Sequence, residues 1–134
     1  MPHRATVQIH FCYGHRLLDY EGPCAHPHGH NGLAEIELES DSLDPRGMVV
    51  DFGDVRRGIK EWIDATMDHR MILRSDDPLV AWMRENGEPM CLFEENPTAE
   101  NIARSIFEHT RAGGWPVVAV RLWETPTSYA TYQA

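Results

Sequence analysis

The chain has 134 residues, of which 42% are hydrophobic, and its formal net charge is -9. This length and composition suit one domain with its own core, and we expect a single domain over residues 1–134. The acidic balance and the absence of a clustered basic tract argue against nucleic acid as a partner.

The first strand is predicted over residues 6–15, where apolar and polar side chains alternate with the period of a half-buried strand. His15 continues the apolar parity, so its ring is expected to point inward. After a loop over residues 16–27 the alternation resumes, and His28 and His30 share the parity of the apolar residues that follow. Side chains two apart in an extended chain point the same way, so these two rings can hold one ion between them.

An amphipathic helix is predicted between residues 55 and 67, where apolar side chains recur at helical intervals. The helix runs into Asp68 and His69. A short apolar run over residues 89–93 predicts a buried strand.

A second helix is predicted from Asn96, as its N-cap, and Pro97, as its first helical residue, to Gly113. Residues 116–123 form the strongest strand of the chain, and Glu124 continues its buried parity. Helices do not alternate with every strand in this order of elements. We therefore predict an α+β fold, with an antiparallel four-stranded sheet that carries two helices on one face.

The cysteines, Cys12, Cys24 and Cys91, are odd in number and widely spaced, and the chain starts without a charged-then-apolar leader. Both features predict a reducing compartment. No stretch approaches the roughly 20 continuous apolar residues that a bilayer span needs. We therefore expect a soluble, cytoplasmic protein with no membrane partner.

Three histidines and one cysteine form the most specific cluster. Neutral imidazoles such as His15, His28 and His30 are good zinc ligands, and three protein ligands with one open position are typical of a catalytic zinc. Cys24, four residues before His28, would then act as a base, because a neighbouring dication favours a thiolate. The alternative is a closed structural site in which Cys24 is the fourth ligand. His26 is not aligned with the others, because Pro27 interrupts the extended alternation.

Acidic residues define two further candidates. Asp68 and His69 can form a proton-transfer pair if they lie at a helix end. Glu124 on a buried face needs a partner, and a carboxylate that accepts two parallel N–H donors suits the amino group and ring N–H of a pterin or guanine. Glu100 has a simpler explanation as a first-turn acid favoured by the helix dipole. Arg16 is a candidate contact for an anionic substrate, although a surface arginine is the default.

Six motifs resemble those of the 6-pyruvoyltetrahydropterin synthase family and occur in the family's order. They are Phe11-x-x-x-His15-Arg16-Leu17, Cys24-x-x-x-His28-Gly29-His30-Asn31, Gly47-Met48-Val49-x-Asp51-Phe52, Asp68-His69, Pro97-Thr98-Ala99-Glu100-Asn101 and Glu124-Thr125. The resemblance covers most of the chain. It implies the tunnelling fold, whose subunits close into rings and stack as a homohexamer with active sites at subunit interfaces.

The resemblance also implies roles for single residues. The three histidines, His15, His28 and His30, would bind Zn²⁺. Cys24 would abstract a proton, assisted by Asp68 and His69. Glu124 would anchor the pterin ring, with Thr98 and Glu100 contributing from the start of the second helix. The implied substrate is the small molecule 7,8-dihydroneopterin triphosphate.

The family has two main branches. The pyruvoyl enzymes eliminate triphosphate and isomerise the side chain, whereas the carboxy enzymes also release acetaldehyde and leave 6-carboxytetrahydropterin, on the route to queuosine. The spacing from Cys24 to His28 resembles the shorter spacing of the carboxy branch, which we favour. One departure from the family is Gly32, where an aromatic residue usually follows His-Gly-His-Asn.

Three functions are compatible with these residues. The first is a zinc-dependent lyase that acts on a pterin, of the carboxy or the pyruvoyl type. The second is a non-catalytic, zinc-stabilised oligomer, and the third is a zinc hydrolase built on the same ligands. Turnover of the pterin triphosphate and its dependence on Cys24 separate the first from the other two.

Overall fold

Two long antiparallel strands form the centre of the sheet in the computed structural model, which describes residues 1–134. Strand β1 spans His3–His15 and β2 spans His28–Ser40. They pair along their whole length, and this register places His15 directly opposite His28. Buried and exposed side chains alternate along most of both strands, as the sequence predicts.

Four further strands complete the sheet: β3 (Arg70–Arg74), β4 (Met90–Phe93), β5 (Val117–Thr125) and β6 (Ser128–Gln133). The order across the sheet is β4-β3-β1-β2-β5-β6. Neighbours among β1, β2, β5 and β6 are antiparallel, whereas β3 pairs in parallel with both β1 and β4. The sheet is therefore mixed, and the predicted antiparallel arrangement holds for its larger part.

The predicted count of four strands is wrong, because β3 and β6 carry weak sequence signals. Strand β3 has five residues, and its apolar side chains are consecutive instead of alternating. Strand β6 lies at the edge of the sheet and its side chains are mostly exposed. Pairing with β5, and not an apolar pattern, defines this last strand.

Three helices pack on the sheet, where two were predicted: α1 (Phe52–Thr66), α2 (Leu79–Glu85) and α3 (Ala99–Ala112). Helices α1 and α3 share one core of 20 buried residues with β1, β2 and β5. Helix α2 packs on Leu73 in a separate cluster. Leu73 follows Ile72 of the main core, and successive side chains of a strand point to opposite faces of the sheet. Helix α2 therefore covers the face opposite to the main core. None of the helices is long and apolar enough to cross a bilayer.

Helix α2 was missed because its seven residues offer too few repeats for a helical period to be recognised. The start of α3 was also misplaced by two residues. Its N-cap is Thr98, whose Oγ1 accepts a hydrogen bond from Asn101 N at 3.2 Å. The predicted N-cap, Asn96, instead bonds both backbone groups of Leu18, at 3.0 and 2.8 Å. This contact ties the residues before α3 to the segment that follows His15.

Candidate active site

The three histidines of the predicted metal site meet at the paired ends of β1 and β2. His15 lies opposite His28, and Tyr13 lies opposite His30. The ring centroids of the three histidines are 4.5 to 5.1 Å apart, and their candidate ligand atoms lie within 4.8 Å of one another. All three have the parity of the core face. One small ion can therefore contact all three rings.

Two backbone carbonyls orient the rings. His15 Nδ1 donates to the carbonyl of Pro97 at 2.6 Å, and His28 Nδ1 donates to the carbonyl of His26 at 2.7 Å. Because a carbonyl can only accept, Nδ1 of each ring carries the proton and Nε2 keeps its lone pair. Hydrogen bonds of this kind hold histidine ligands in metal sites.

The buried Nε2 atom of His15 has no hydrogen-bond partner. Burial lowers the pKa of His15, which keeps the ring neutral. Glu124 Oε2 lies 3.2 Å from this nitrogen and 3.4 Å from His30 Nε2. A nitrogen lone pair that faces a carboxylate oxygen is unfavourable, and a cation at this place removes the conflict. The residues therefore fit a divalent metal, and three imidazoles with an open position fit zinc in particular.

Glu124 has a partner that the sequence did not identify. The Tyr13 hydroxyl donates to Glu124 Oε2 at 2.7 Å, across a separation of 111 residues. Burial, and then the Glu124 carboxylate, raise the pKa of Tyr13, so the hydroxyl stays a donor. Tyr13 shares the apolar parity of β1, which by itself indicates no partner for its hydroxyl. A contact between β1 and β5 leaves no local signal in the sequence.

The segment that carries Cys24 folds back to the same end of the sheet. Cys24 lies in a 3-10 turn over Pro23–Ala25, and its carbonyl accepts a hydrogen bond from Leu17 N at 2.9 Å. The ring of His26 lies outside the triad, as predicted, while its carbonyl orients His28. The backbone of Cys24 is therefore held by Leu17, two residues after His15, and lies four residues before His28. Its role as a base stays a prediction.

Asp68 and His69 form a pair just beyond α1, at a helix end as predicted. His69 has a φ of 58°, a left-handed conformation that turns the chain from the helix towards β3. Asp68 Oδ2 accepts from His69 Nδ1 at 2.8 Å, and Asp68 Oδ1 accepts from Cys12 N at 2.9 Å. Burial alone would raise the pKa of Asp68, but the hydrogen bonds from Cys12 and His69 outweigh it and lower the pKa. The ionised acid thus orients the ring and leaves His69 Nε2 free.

His69 of the dyad borders a cavity of about 620 Å³. The sheet wall of this cavity is formed by residues 12–14 and 28–31 and thus includes His28 and His30 of the triad. In this cavity Cys12 Sγ lies 2.9 Å from Asn31 Oδ1. Both residues alternate with the triad along β1 and β2, so their side chains point away from the core face. The dyad therefore lies beside side chains that alternate with the triad, and its side-chain hydrogen bonds are made to Cys12 N and within the pair, not to the triad.

The start of α3 reaches the triad through its backbone. The carbonyl of Pro97 holds His15, whereas Thr98 Oγ1 caps the helix and Glu100 is exposed in the first turn. The motif over residues 97–101 therefore contributes to the site through the backbone carbonyl of Pro97. The predicted substrate contacts of Thr98 and Glu100 stay predictions.

Arg16 is committed to an ion pair. Its guanidinium contacts both carboxylate oxygens of Asp77, which is only 3% exposed, with Nε 2.8 Å from Oδ2. The hydrogen bond from Arg16 lowers the pKa of Asp77. Asp77 Oδ1 also accepts from Leu79 N, the first residue of α2, at 2.8 Å. Arg16 thus fastens the residue after His15 to α2, which argues against a primary role in triphosphate binding.

Comparison with known proteins gives consistent results. A family model described as 6-pyruvoyl tetrahydropterin synthase matches residues 4–134. The 6-carboxy-5,6,7,8-tetrahydropterin synthase of Rickettsia felis is 36% identical over 133 residues, which cover 94% of this chain and 96% of the relative. The protein of the same name from Rickettsia conorii is 35% identical with the same coverage.

Two solved structures share the fold. An uncharacterized protein from Wolinella succinogenes superposes with a TM-score of 0.85 at 28% identity, covering 99% of this chain and 98% of the other. The 6-pyruvoyl tetrahydropterin synthase of Caenorhabditis elegans superposes with a TM-score of 0.74 at 24% identity, covering 100% and 96%. These likenesses confirm the predicted tunnelling fold in the α+β class.

Proposed function

The chain belongs to the 6-pyruvoyl tetrahydropterin synthase family, and we propose that it is a zinc-dependent 6-carboxy-5,6,7,8-tetrahydropterin synthase. The proposed reaction converts 7,8-dihydroneopterin triphosphate and one water to 6-carboxytetrahydropterin, acetaldehyde and triphosphate, on the route to queuosine. The observation that carries the proposal is the unpartnered Nε2 of His15, which faces the carboxylate of Glu124. A candidate metal ligand, His15, thus lies next to Glu124, whose carboxylate suits the edge of a pterin.

His15, His28 and His30 would hold the zinc through Nε2. When bound, zinc would act as a Lewis acid on the side-chain oxygens of the substrate. Glu124 would hold the pterin through its amino group and ring N–H, because a carboxylate matches two parallel donors. The pterin side chain would then extend towards the triad.

Proton transfer would be divided between two groups. Cys24 Sγ, as thiolate, would take a carbon-bound proton from the substrate side chain. His69 Nε2 would exchange a proton at the opposite side of that side chain, with Asp68 orienting the ring through Nδ1. The left-handed backbone at His69 supports this role, since such conformations in residues other than glycine cluster at functional sites.

The choice of the carboxy branch rests on two observations. Relatives at 35% and 36% identity over nearly the whole chain carry that name. Cys24 is also separated from His28 by three residues, which resembles the spacing of that branch. The alternative, a 6-pyruvoyltetrahydropterin synthase, would release triphosphate without acetaldehyde.

We propose further that the protein is a cytoplasmic homohexamer with one domain over residues 1–134. The three cysteines are unpaired, which supports a reducing compartment. The dyad makes no hydrogen bond or ion pair with the triad of its own chain, which supports an assembly in which a neighbouring subunit supplies His69. Each site would then combine Cys24 from one subunit with His69 from another.

Product analysis tests the proposed activity. Purified, zinc-loaded protein is incubated with 7,8-dihydroneopterin triphosphate, and 6-carboxytetrahydropterin and acetaldehyde are followed by mass spectrometry. Cys24→Ala is the control, and should keep its zinc while turnover falls by roughly 100-fold to 10,000-fold. Absence of any pterin product from zinc-loaded wild type would refute the proposal. If Cys24→Ala leaves any measured activity unchanged, the non-catalytic oligomer is favoured. Ester hydrolysis that depends on His28 would favour the zinc hydrolase.

A further inference from the structure

Tyr13 occupies a space on the core face of the sheet that Gly32 leaves open. Gly32 lies opposite Phe11 in the β1–β2 register and has the same parity as His30. A Cβ atom added to Gly32 would lie 2.8 Å from Tyr13 Cε1, well inside van der Waals contact. The aromatic ring of Tyr13 and the missing side chain at Gly32 therefore depend on each other.

The same gap leads from Tyr13 to the acid of the active site. The β2–β5 register ends at the pair Leu33 and Trp123, so Gly32 and Glu124 are the next residues along these two strands. The Tyr13 ring crosses above Gly32, and its hydroxyl reaches Glu124 Oε2 at 2.7 Å. A larger side chain at position 32 would stand in this path.

The position of the Glu124 carboxylate decides what it can bind. Its Oε2 lies 3.2 Å from His15 Nε2 and 3.4 Å from His30 Nε2, so the carboxylate borders the proposed metal site. A carboxylate that joins the metal would close the open position and would no longer face a pterin. The hydrogen bond from Tyr13 holds Oε2 in one place and leaves Oε1 free of protein partners.

We propose that Tyr13 is a positioning residue that holds Glu124 for the pterin ring, and that Gly32 provides the space for it. This inference rests on the proposed function and adds a residue that determines how the pterin is bound. Tyr13 acts through Glu124 and touches no reacting atom. A purely structural role would place the ring in the core, where the hydroxyl would have no effect on ligand binding.

The central variant is Tyr13→Phe, which removes the hydroxyl and keeps the ring that packs on Phe11 at 5.2 Å. We expect KM, and the Kd of pterin-6-carboxylic acid measured by its fluorescence, to rise roughly tenfold, the lower range for loss of a hydrogen bond to a charged group. The kcat, the zinc content and the Tm should stay close to wild type. Tyr129→Phe, at an exposed tyrosine on β6, is the matched control and should change none of these values.

A double-mutant cycle tests whether Tyr13 acts through the acid. In a Glu124→Gln background, Tyr13→Phe should add less than about twofold to the Kd, because the two residues are coupled. Gly32→Ala, which displaces the Tyr13 ring without touching Glu124, should raise the Kd in the same direction as Tyr13→Phe.

The outcomes separate the two proposals. Wild-type protein that neither turns over the pterin triphosphate nor binds pterin-6-carboxylic acid refutes the proposed function, and the inference falls with it. Active wild type together with a Tyr13→Phe variant of unchanged KM and Kd refutes the inference alone. Additive effects of Tyr13→Phe and Glu124→Gln also refute it, since they show that the hydroxyl acts independently of the acid.

Discussion

Two inactive variants, Cys24→Ala and His69→Asn, should restore activity to each other when they assemble together. The reason is that Asp68 and His69 lie beside side chains that alternate with the triad and form no hydrogen bond with the triad within one chain. If neighbouring subunits share each site, a mixed oligomer contains sites in which both proposed proton-transfer groups are intact. Asn is chosen at position 69 because it tolerates the left-handed backbone found there, with φ of 58°.

The expected recovery follows from the geometry. A site is intact when the subunit with the triad carries Cys24 and its neighbour carries His69. In an equal, random mixture each condition is met in half of the cases, so about one quarter of the sites should be active. If one chain supplied both groups, every site in the mixture would lack one of them and activity would stay at the level of the single variants.

The two variants are co-expressed with different affinity tags, and oligomers that carry both tags are purified in sequence. The rate of product formation is then compared with wild type and with each variant alone, at equal zinc content. Wild type mixed equally with a Cys24→Ala/His69→Asn double variant is a second test, where shared sites leave about one quarter of the activity and unshared sites about one half. Recovery near zero in the first mixture and one half in the second would refute the shared site.

Arg16→Ala leaves Asp77 buried without its partner, and we expect the free energy of unfolding in urea to fall by about 3 kcal/mol. Because the pKa of Asp77 is lowered, this ion pair stabilises the fold at pH values above the ordinary pKa of 3.8. The contribution is lost as the pH falls through the folded-state pKa. Acid unfolding followed by circular dichroism should show this loss in wild type and not in Asp77→Asn. In metal-free protein, burial lowers the pKa of His15 from 6.5, so below that pH the unfolded chain binds more protons than the folded one. The Tm should therefore fall as the pH drops towards about 5. His15→Gln should weaken this dependence of the Tm on pH. Glu124→Gln should keep its zinc and lose roughly 100-fold in kcat/KM, whereas loss of zinc would identify Glu124 as a metal ligand.

The sequence was sufficient to predict that three histidines meet in one cluster, because strand alternation acts between residues that are close in the chain. The parity of His15 with the apolar residues of β1, and of His28 and His30 with those of β2, placed all three rings on one face. The loop over residues 16–27 allows the two strands to be neighbours, and the structure pairs them along their whole length.

Other features depended on contacts that leave no local pattern. Strand β6 is held by backbone hydrogen bonds to β5, and α2 by a few side chains on the opposite face of the sheet. The start of α3 moved to Thr98 because Asn96 is used by Leu18, far away in the chain. A propensity rule cannot anticipate a side chain that is already engaged elsewhere.

The amino-acid sequence by itself determined which chemical groups the protein offers and the periodicity that gives each group its face. Only the tertiary structure decided which of these groups meet. It joined Tyr13 to Glu124 through the space above Gly32 and paired Arg16 with Asp77. The physical reason is that backbone periodicity is a local property, whereas strand order and register depend on the packing of the whole core.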